Sequence, residues 1–371
     1  MVSEQGVEQD AKEVLQALAI RRNVILTGAP GTGKSRLLNY VRELFAWDSG
    51  ETGADPAGRI PIPPTSSPIP AWFPSPTQTT SRQVFPTVFD QNTKYRDFMR
   101  GLVPKIDTAG AFVVTKGTLY RASLHAMQDG NAALVVIDEI NRGPAIAAFG
   151  SALVGLEADK RLPTSGEPTP ETQFFELLDD DGNPTPFALP TDLYVLAAMN
   201  EADTSVEPLD VAFLRRFHIH RLEPRYDVLR RHFGLPPQSS EDLEPVPGSA
   251  SDWYEALVRA FQRTNERILL GRGGAYQLGH GALMHAPAPL DGLAAAQLYV
   301  AEAWSTIRAH VDEVFFGDTR AIAEVLLAGH GSSPYTLMEA TFAEQLVRRI
   351  VGPERPSPQE LYQLLKIIAA P

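Results

Sequence analysis

The sequence predicts an α/β domain, a parallel sheet covered by helices, followed by a helical domain. Three observations carry this. The apolar runs at 23–27 (NVILT), 132–137 (AALVVI) and 193–199 (LYVLAAM) have the length of buried parallel strands. Helical patterns alternate with them, which places helices on the faces of one sheet. Beyond about residue 224 the pattern is helical throughout. The expected domains are therefore 1–224 and 225–371, with no internal repeats.

The elements follow in order. Residues 10–20 read as a helix, and a second runs from Lys34 to Phe45 directly after the first strand. Residues 47–82 carry Pro61, Pro63, Pro64, Pro68, Pro70, Pro74 and Pro76, so they read as a loop or extended insert, with Trp72 and Phe73 anchoring it to a surface. VFPTVFD is a strand candidate, and YRDFMRGLVP a short helix and turn. TKGTLYRASLHAMQ is expected to be a helix with Leu119, Leu124 and Met127 inward. A helix is expected over 145–156, then a hairpin at LLDDDGNPTPFAL. The C-terminal part contains DWYEALVRAFQRTNERILL, LAAAQLYVAEAWSTIRAHVDEVFF and TRAIAEVLLAG. In the last helix Ser357 is a cap, Pro358 fits the first position and Glu360 completes a capping box.

Composition narrows the function classes. With 371 residues, 43% hydrophobic and 21% charged, the chain has an ordinary globular make-up. No apolar run reaches the length of a membrane span, and the acidic N-terminus is unlike a signal peptide. The absence of cysteine excludes disulfides, thiolate zinc sites and a cysteine nucleophile. These points lead to a cytoplasmic protein with no membrane partner. A net charge of −12 argues against a broad DNA-gripping face, while leaving room for a small basic pore.

The chemistry starts at GAPGTGKS: Gly28, Ala29, Pro30, Gly31, Thr32, Gly33, Lys34 and Ser35. This pattern follows a strand and opens a helix, where a phosphate loop must sit. The glycines let backbone N–H groups turn inward onto phosphate oxygens, and the helix N-terminus adds positive charge. Lys34 is expected at the β- and γ-phosphates and Ser35 on Mg²⁺. LVVIDE ends a strand on Asp138 and Glu139. Beside a phosphate loop, Asp138 is expected in the Mg²⁺ shell and Glu139 as the base that polarises the attacking water. Asn200, at the end of the third strand, would orient that water without competing for the metal. Arg215 and Arg216 close the next short helix and could reach a neighbour's nucleotide as arginine fingers.

Other features read as structural. DDDGN at 179–183 lacks the ligand spacing of a calcium loop and reads as a turn. His218 and His220 have no third ligand in view and read as a surface strand. Arg142 is divided evenly between contact with a neighbouring subunit and structural pairing.

GAPGTGKS, VVIDEIN, the AAMN strand end and LRRF, in this order with a helical domain behind, resemble an AAA+ ATPase. The resemblance sharpens to the McrB-type branch, the NTPase motors of methylation-dependent restriction. It is carried by VVIDEINRGPAIAAFGSALVGLEADKRL, MNEADTS, TVFDQNTKYRDFMRGLVP, NERILLGRGGAYQLGHGALM and VDEVFFGD. Departures are Glu201 and Thr204 where the branch has threonine and arginine, and Gly281 for a serine; the insert at 47–82 has no match. The usual lid arginine has no clear counterpart, with Arg272 or His280 as substitutes. The resemblance implies an AAA+ phosphate-loop domain with an all-α lid. It also implies hydrolysis of ATP or GTP with Mg²⁺ in a homo-oligomeric, hexameric ring. The partner would be a separate nuclease-type effector subunit, with DNA met only indirectly or through a pore. So little sequence precedes the phosphate loop that no fused DNA-reading domain is expected. The rival readings are a MoxR-like chaperone ATPase acting on a protein client, and a nucleotide-gated assembly switch.

Overall fold

The computed structural model describes residues 4–48, 81–105, 110–202, 209–238, 242–288 and 292–370. The chain divides into two compact units: Met1–Thr27 with Lys34–Arg221, and Gly28–Gly33 with Leu222–Pro371. The elements up to that division are α1 (Glu4–Arg21), β1 (Asn23–Gly28), α2 (Lys34–Phe45), β2 (Trp47–Asp48), β3 (Ser81–Val88), α3 (Tyr95–Phe98), β4 (Arg100–Pro104) and β5 (Phe112–Lys116). They continue with α4 (Thr118–Ala126), β6 (Asn131–Asp138), α5 (Ala145–Phe149), β7 (Phe175–Leu178), β8 (Pro184–Phe187), β9 (Leu193–Ala198), α6 (Val211–Leu214) and β10 (His218–Leu222). Most of the proline-rich stretch, with Trp72 and Phe73, lies outside the described residues.

The main sheet has the order β10-β1-β9-β6-β3-β2. The pairs β1–β9, β6–β9 and β3–β6 are parallel, and the two-residue β2 adds an antiparallel edge. All residues of β1 and β9 are buried, as are the first seven of β6. That burial explains why these strands read as unbroken apolar runs and not as alternation. The chain passes from β1 out to β3, returns through β6 and β9, and then crosses to the far side of β1 with β10. The order therefore reverses beside β1, and ligands in such sheets bind outside the carboxyl ends at that reversal. In register, Ile137 and Ile25 both face Ala197, which brings the ends of β6, β9 and β1 out together.

Three local expectations change. On α4, Leu119, Ala122, Ser123 and Ala126 form the buried stripe, whereas Leu124 and Met127 are exposed. Small side chains let this helix approach the sheet closely, and Ser123 Oγ satisfies itself by donating to Leu119 O at 2.8 Å. The stripe thus follows residue size at i, i+3, i+4 and i+7, not the largest apolar side chains. The helix expected over 145–156 is α-helical only to Phe149 and continues as 3₁₀ over Gly150–Gly155. The change falls at Gly150, which turns to φ 50° and where an added Cβ would lie 2.6 Å from Tyr95 Cδ2, so only glycine fits there. The turn expected after YRDF is instead strand β4, paired antiparallel with β5.

DDDGN is the turn of the β7–β8 hairpin. Asp179 Oδ1 accepts from the N–H groups of Asp181 (2.9 Å) and Asn183 (2.8 Å). The two hairpins are tied through Asp180, which meets both Arg100 and Lys116.

Phe149 organises the core of this unit. Its ring stands 4.7 Å from Phe98, 5.5 Å from Phe213, 6.3 Å from Phe217 and 6.4 Å from Phe89, centroid to centroid. It therefore holds together the end of β3, α3, α5 and α6.

The C-terminal unit contains α7 (Tyr226–His232), α8 (Ala250–Arg272), α9 (Leu293–Val314), α10 (Thr319–Val325), strands β11 (Thr336–Phe342) and β12 (Gln345–Val351), and α11 (Pro358–Ala369). Trp253, Phe261, Trp304 and Leu364 fill its core. The capping box of α11 is present: Glu360 N–H donates to Ser357 Oγ at 3.3 Å, and Ser357 N–H to Glu360 Oε2 at 2.8 Å. Among these helices stands one element that helical periodicity does not announce, the β11–β12 hairpin, turning at Ala343 and Glu344, both at positive φ. Among the described residues no helix is long and apolar enough to cross a membrane.

Removing the Phe149 ring should leave a cavity touching four elements. Phe149→Ala is expected to cost about 3–5 kcal/mol in urea unfolding, and Phe149→Leu, which keeps most of the volume, distinctly less.

Candidate functional site

In the first unit the candidate residues gather at the carboxyl edge of the sheet. Lys34 and Ser35 open α2, and Ser35 and Asp138 line one cavity of about 220 Å³ together with Asn39, Thr87 and Val88. A hydroxyl and a carboxylate are the hard oxygen donors that suit Mg²⁺. Lys34 is only 8% exposed, and burial pulls its ammonium pKa down to about 8, against the opposing pull of Glu201 and then Asp138. Glu201 itself pairs with Arg221 at 3.3 Å. Two carboxylates thus hold positive charge at a lysine that burial alone would discharge further.

Glu139 sits in the left-handed region at φ 54° and ψ 48°. A non-glycine residue costs about 1–3 kcal/mol there, and such strain clusters at functional sites. Its N–H donates to Asp138 Oδ1 at 3.1 Å, and its Oε2 pairs with Arg142 Nε at 2.8 Å. Arg142 therefore has the structural pairing that was one of its two readings. Asn141 is buried, and its side-chain amide donates to Asn200 O at 2.9 Å. That bond fastens the turn after β6 to the end of β9 and fixes the spacing of Glu139 and Asn200.

The arginine pair divides. Asp210 caps α6, its Oδ1 accepting from Phe213 N–H at 2.6 Å, while Phe213 and Phe217 stack at 5.0 Å inside the core. Arg216 lies on that inner side: its Nε donates to Leu153 O at 3.1 Å, and its guanidinium also reaches Ala212 O. Arg215 faces outward and is exposed. His218 and His220 lie in β10, as a surface strand requires.

In the second unit, the loop Gly28–Gly33 carries Gly31 at φ 79° and Gly33 at φ 95°, and Thr32 Oγ1 donates to Ala29 O at 2.9 Å. Its outward carbonyls are taken by the QLGHG segment. Gly279 N–H donates to Pro30 O at 2.8 Å, and Gly281 N–H to Gly31 O at 2.9 Å. Asn265, fully buried on α8, grips Leu278 from both sides: its amide donates to Leu278 O at 2.9 Å and its Oδ1 accepts from Leu278 N–H at 2.8 Å. Of the two lid candidates, His280 is 9% exposed, its Nδ1 accepting from Arg225 N–H at 3.1 Å. Arg272 is exposed and stands over the Phe315 ring at 5.6 Å.

Sequence reasoning passed over Asn23, Asn141, Arg161 and Asn265. Asn23 carries a signal, since a polar residue heads a mostly apolar strand; the other three bond to partners distant in sequence, Asn141 to Asn200, Arg161 to Asn23 and Leu193, and Asn265 to Leu278.

Residues 77–217 match the AAA domain of the dynein-related subfamily, a span that holds Asp138, Glu139, Asn200 and the arginine pair. The chain is 26% identical over 280 residues to the type IV methyl-directed restriction enzyme EcoKMcrB subunit of Escherichia coli K12, covering 74% of this chain and 50% of that protein. It is 27% identical over 218 residues to the type II restriction enzyme BsuMI component YdiS of Bacillus subtilis 168, covering 55% and 58%. The match thus spans roughly half the length of each relative. A solved structure of C. elegans PCH-2 overlaps 82% of this chain and 66% of that one at 12% identity, with a TM-score of 0.32; the strand order carries the fold assignment without it. Through its match at 77–217 the chain resembles AAA proteins, and among them it is similar to the McrB-type restriction components.

Proposed function

We propose that the chain is a nucleoside triphosphate hydrolase that works in an oligomeric ring and drives a separate nuclease-type partner, meeting DNA only indirectly. The observation that carries this is the gathering of Lys34, Ser35, Asp138 and the strained Glu139 at the end of one parallel sheet. Gly28 to Gly33 would cradle the phosphates with backbone N–H groups, and Lys34 would place its charge at the β- and γ-phosphates. Ser35 and Asp138 would hold Mg²⁺, which when bound neutralises charge on those phosphates.

Glu139 accepts the proton of the attacking water. Arg142 pairs with its carboxylate through Oε2 and so holds it in place for that task. Asn200 orients the water through its amide. Arg215, outward-facing, supplies positive charge to the nucleotide of an adjacent copy. The restriction relatives support a role alongside a nuclease, and the net charge of −12 fits a chain that leaves DNA contact to others.

Hydrolysis assays on ATP and GTP side by side test this reading. Glu139→Gln should keep nucleotide affinity within about threefold while turnover falls at least about 100-fold. Unchanged turnover would leave only an assembly switch. Lys34→Ala should abolish binding. Arg215→Ala alone should be inactive, yet regain turnover when mixed with Glu139→Gln chains, because each supplies what the other lacks.

Lys34 also makes binding pH-dependent. Its pKa of about 8 means that the free protein loses the ammonium as pH rises through 8, while bound phosphate demands the charged form. Affinity should weaken about tenfold between pH 7 and pH 9, with close to one proton taken up per nucleotide at pH 9. Titration calorimetry in buffers of different ionisation enthalpy reads both.

A further inference from the structure

We propose that Asn23 and Arg161 are positioning residues for Arg215, and that they join the arginine which a subunit presents to the strand bearing that subunit's own phosphate loop. The inference rests on the reading of Arg215 as the group that acts on a neighbour's nucleotide.

Asn23 is the first residue of β1 and is fully buried. Its amide nitrogen donates to Leu156 O at 2.7 Å and to Arg216 O at 3.0 Å. Its Oδ1 accepts from Arg161 Nη2 at 2.6 Å. Both donors and the acceptor are in use, so the side chain has one orientation. Arg161 is 2% exposed and donates also to the carbonyls of Leu156 and Leu193. A buried guanidinium bonded to neutral acceptors is costly. Here it locks the head of β1, the start of β9 and the end of the 3₁₀ segment into one arrangement.

The consequence falls on α6. A helix of four residues cannot hold its own direction. Its N-terminal end is fixed by the Asp210 cap and its inner side by Phe213 and Phe217. The C-terminal end is fixed by Asn23 on the Arg216 carbonyl and by Arg216 Nε on Leu153 O. Arg215, between the anchored residues and on the opposite side, inherits its direction from them. A charge that stabilises a transition state must be placed closely, since an error of about 1 Å can cost about 100-fold.

The test separates positioning from folding by reading the arginine that one chain gives to another. The reporter is Arg215→Ala, which keeps its own site and cannot donate. The donor is Glu139→Gln, which cannot turn over and can donate. Asn23→Asp is added to the donor: it is isosteric and still accepts from Arg161, but offers no N–H to Leu156 O or Arg216 O.

The Asn23→Asp donor should restore less than about a tenth of the turnover given by the parent donor, as a loss in kcat with KM unchanged, while its own nucleotide affinity stays within about twofold. Full restoration overturns the positioning role. If the parent donor restores nothing, the arginine reading fails first, and the positioning role falls with it. Arg216→Ala in the donor decides the matter should Asn23→Asp not fold. It should restore poorly, and Arg216→Lys, which keeps a donor for Leu153 O, should recover at least half; equal restoration by Arg216→Ala overturns the proposal.

Discussion

A parallel strand buried on both faces has room for polar side chains only at its two ends, because a polar group between them would lack water and a partner. β1, β6 and β9 follow this constraint closely. Their residues are nearly all buried and, Thr27 and Tyr194 aside, their polar residues stand at the first or last positions. At the carboxyl end they deliver Lys34, Asp138, Glu139 and Asn200 within reach of one edge. At the amino end they deliver Asn23 and Asn131, both buried. One end is open to a ligand. The other is sealed by the chain's own carbonyls and Arg161, and so becomes a fastening point. The sheet therefore separates chemistry from anchorage along its own length.

The open end is kept in order by strain and by short-range bonds. Glu139 holds a left-handed conformation that its side chain disfavours, and it does so because its neighbours leave it no choice: Asp138 takes its N–H, Arg142 its carboxylate, and Asn141 pins the following turn to β9. If Glu139 is the base, as proposed, a carboxylate placed in this way would need no reorganisation when the water arrives, which is where preorganised sites gain their advantage.

The strands and their order of chemistry were legible because they rest on local rules: an apolar run of strand length, a glycine-rich loop, two acids at a strand end, a capping box at Ser357. The failures share a different cause. Leu124 and Met127 were expected inward on size alone, but α4 approaches the sheet through Ala122 and Ser123, and only the packed structure shows that distance. The helix after Ala145 changes form at Gly150, a position that a distant tyrosine, Tyr95, keeps free of any Cβ. β4 and β5 are strands because they have each other, and the β11–β12 hairpin interrupts a run of helices for the same reason. Arg215 and Arg216 are equivalent in LRRF, and the packed structure distinguishes them by placing Leu153 O, 63 residues away in sequence, against Arg216 Nε.

The second unit applies the same economy to the phosphate loop. A loop that turns its N–H groups inward must turn carbonyls outward, and those carbonyls need donors. Gly279 and Gly281 supply them from the backbone, so no side chain intervenes. Their identity follows from the distance: a Cβ on Gly279 would lie 2.0 Å from the Gly31 carbonyl carbon, closer than any repacking could relieve. Asn265 then fixes Leu278, and with it the segment, to the 23-residue helix α8. A change in loop shape on phosphate binding would have to move those two carbonyls, and α8 is the rigid body fastened to them. The glycines of QLGHG are therefore the counterpart of the glycines in GAPGTGKS: in the proposed function one set would let backbone N–H groups meet phosphate, while the other lets backbone meet backbone on the same loop.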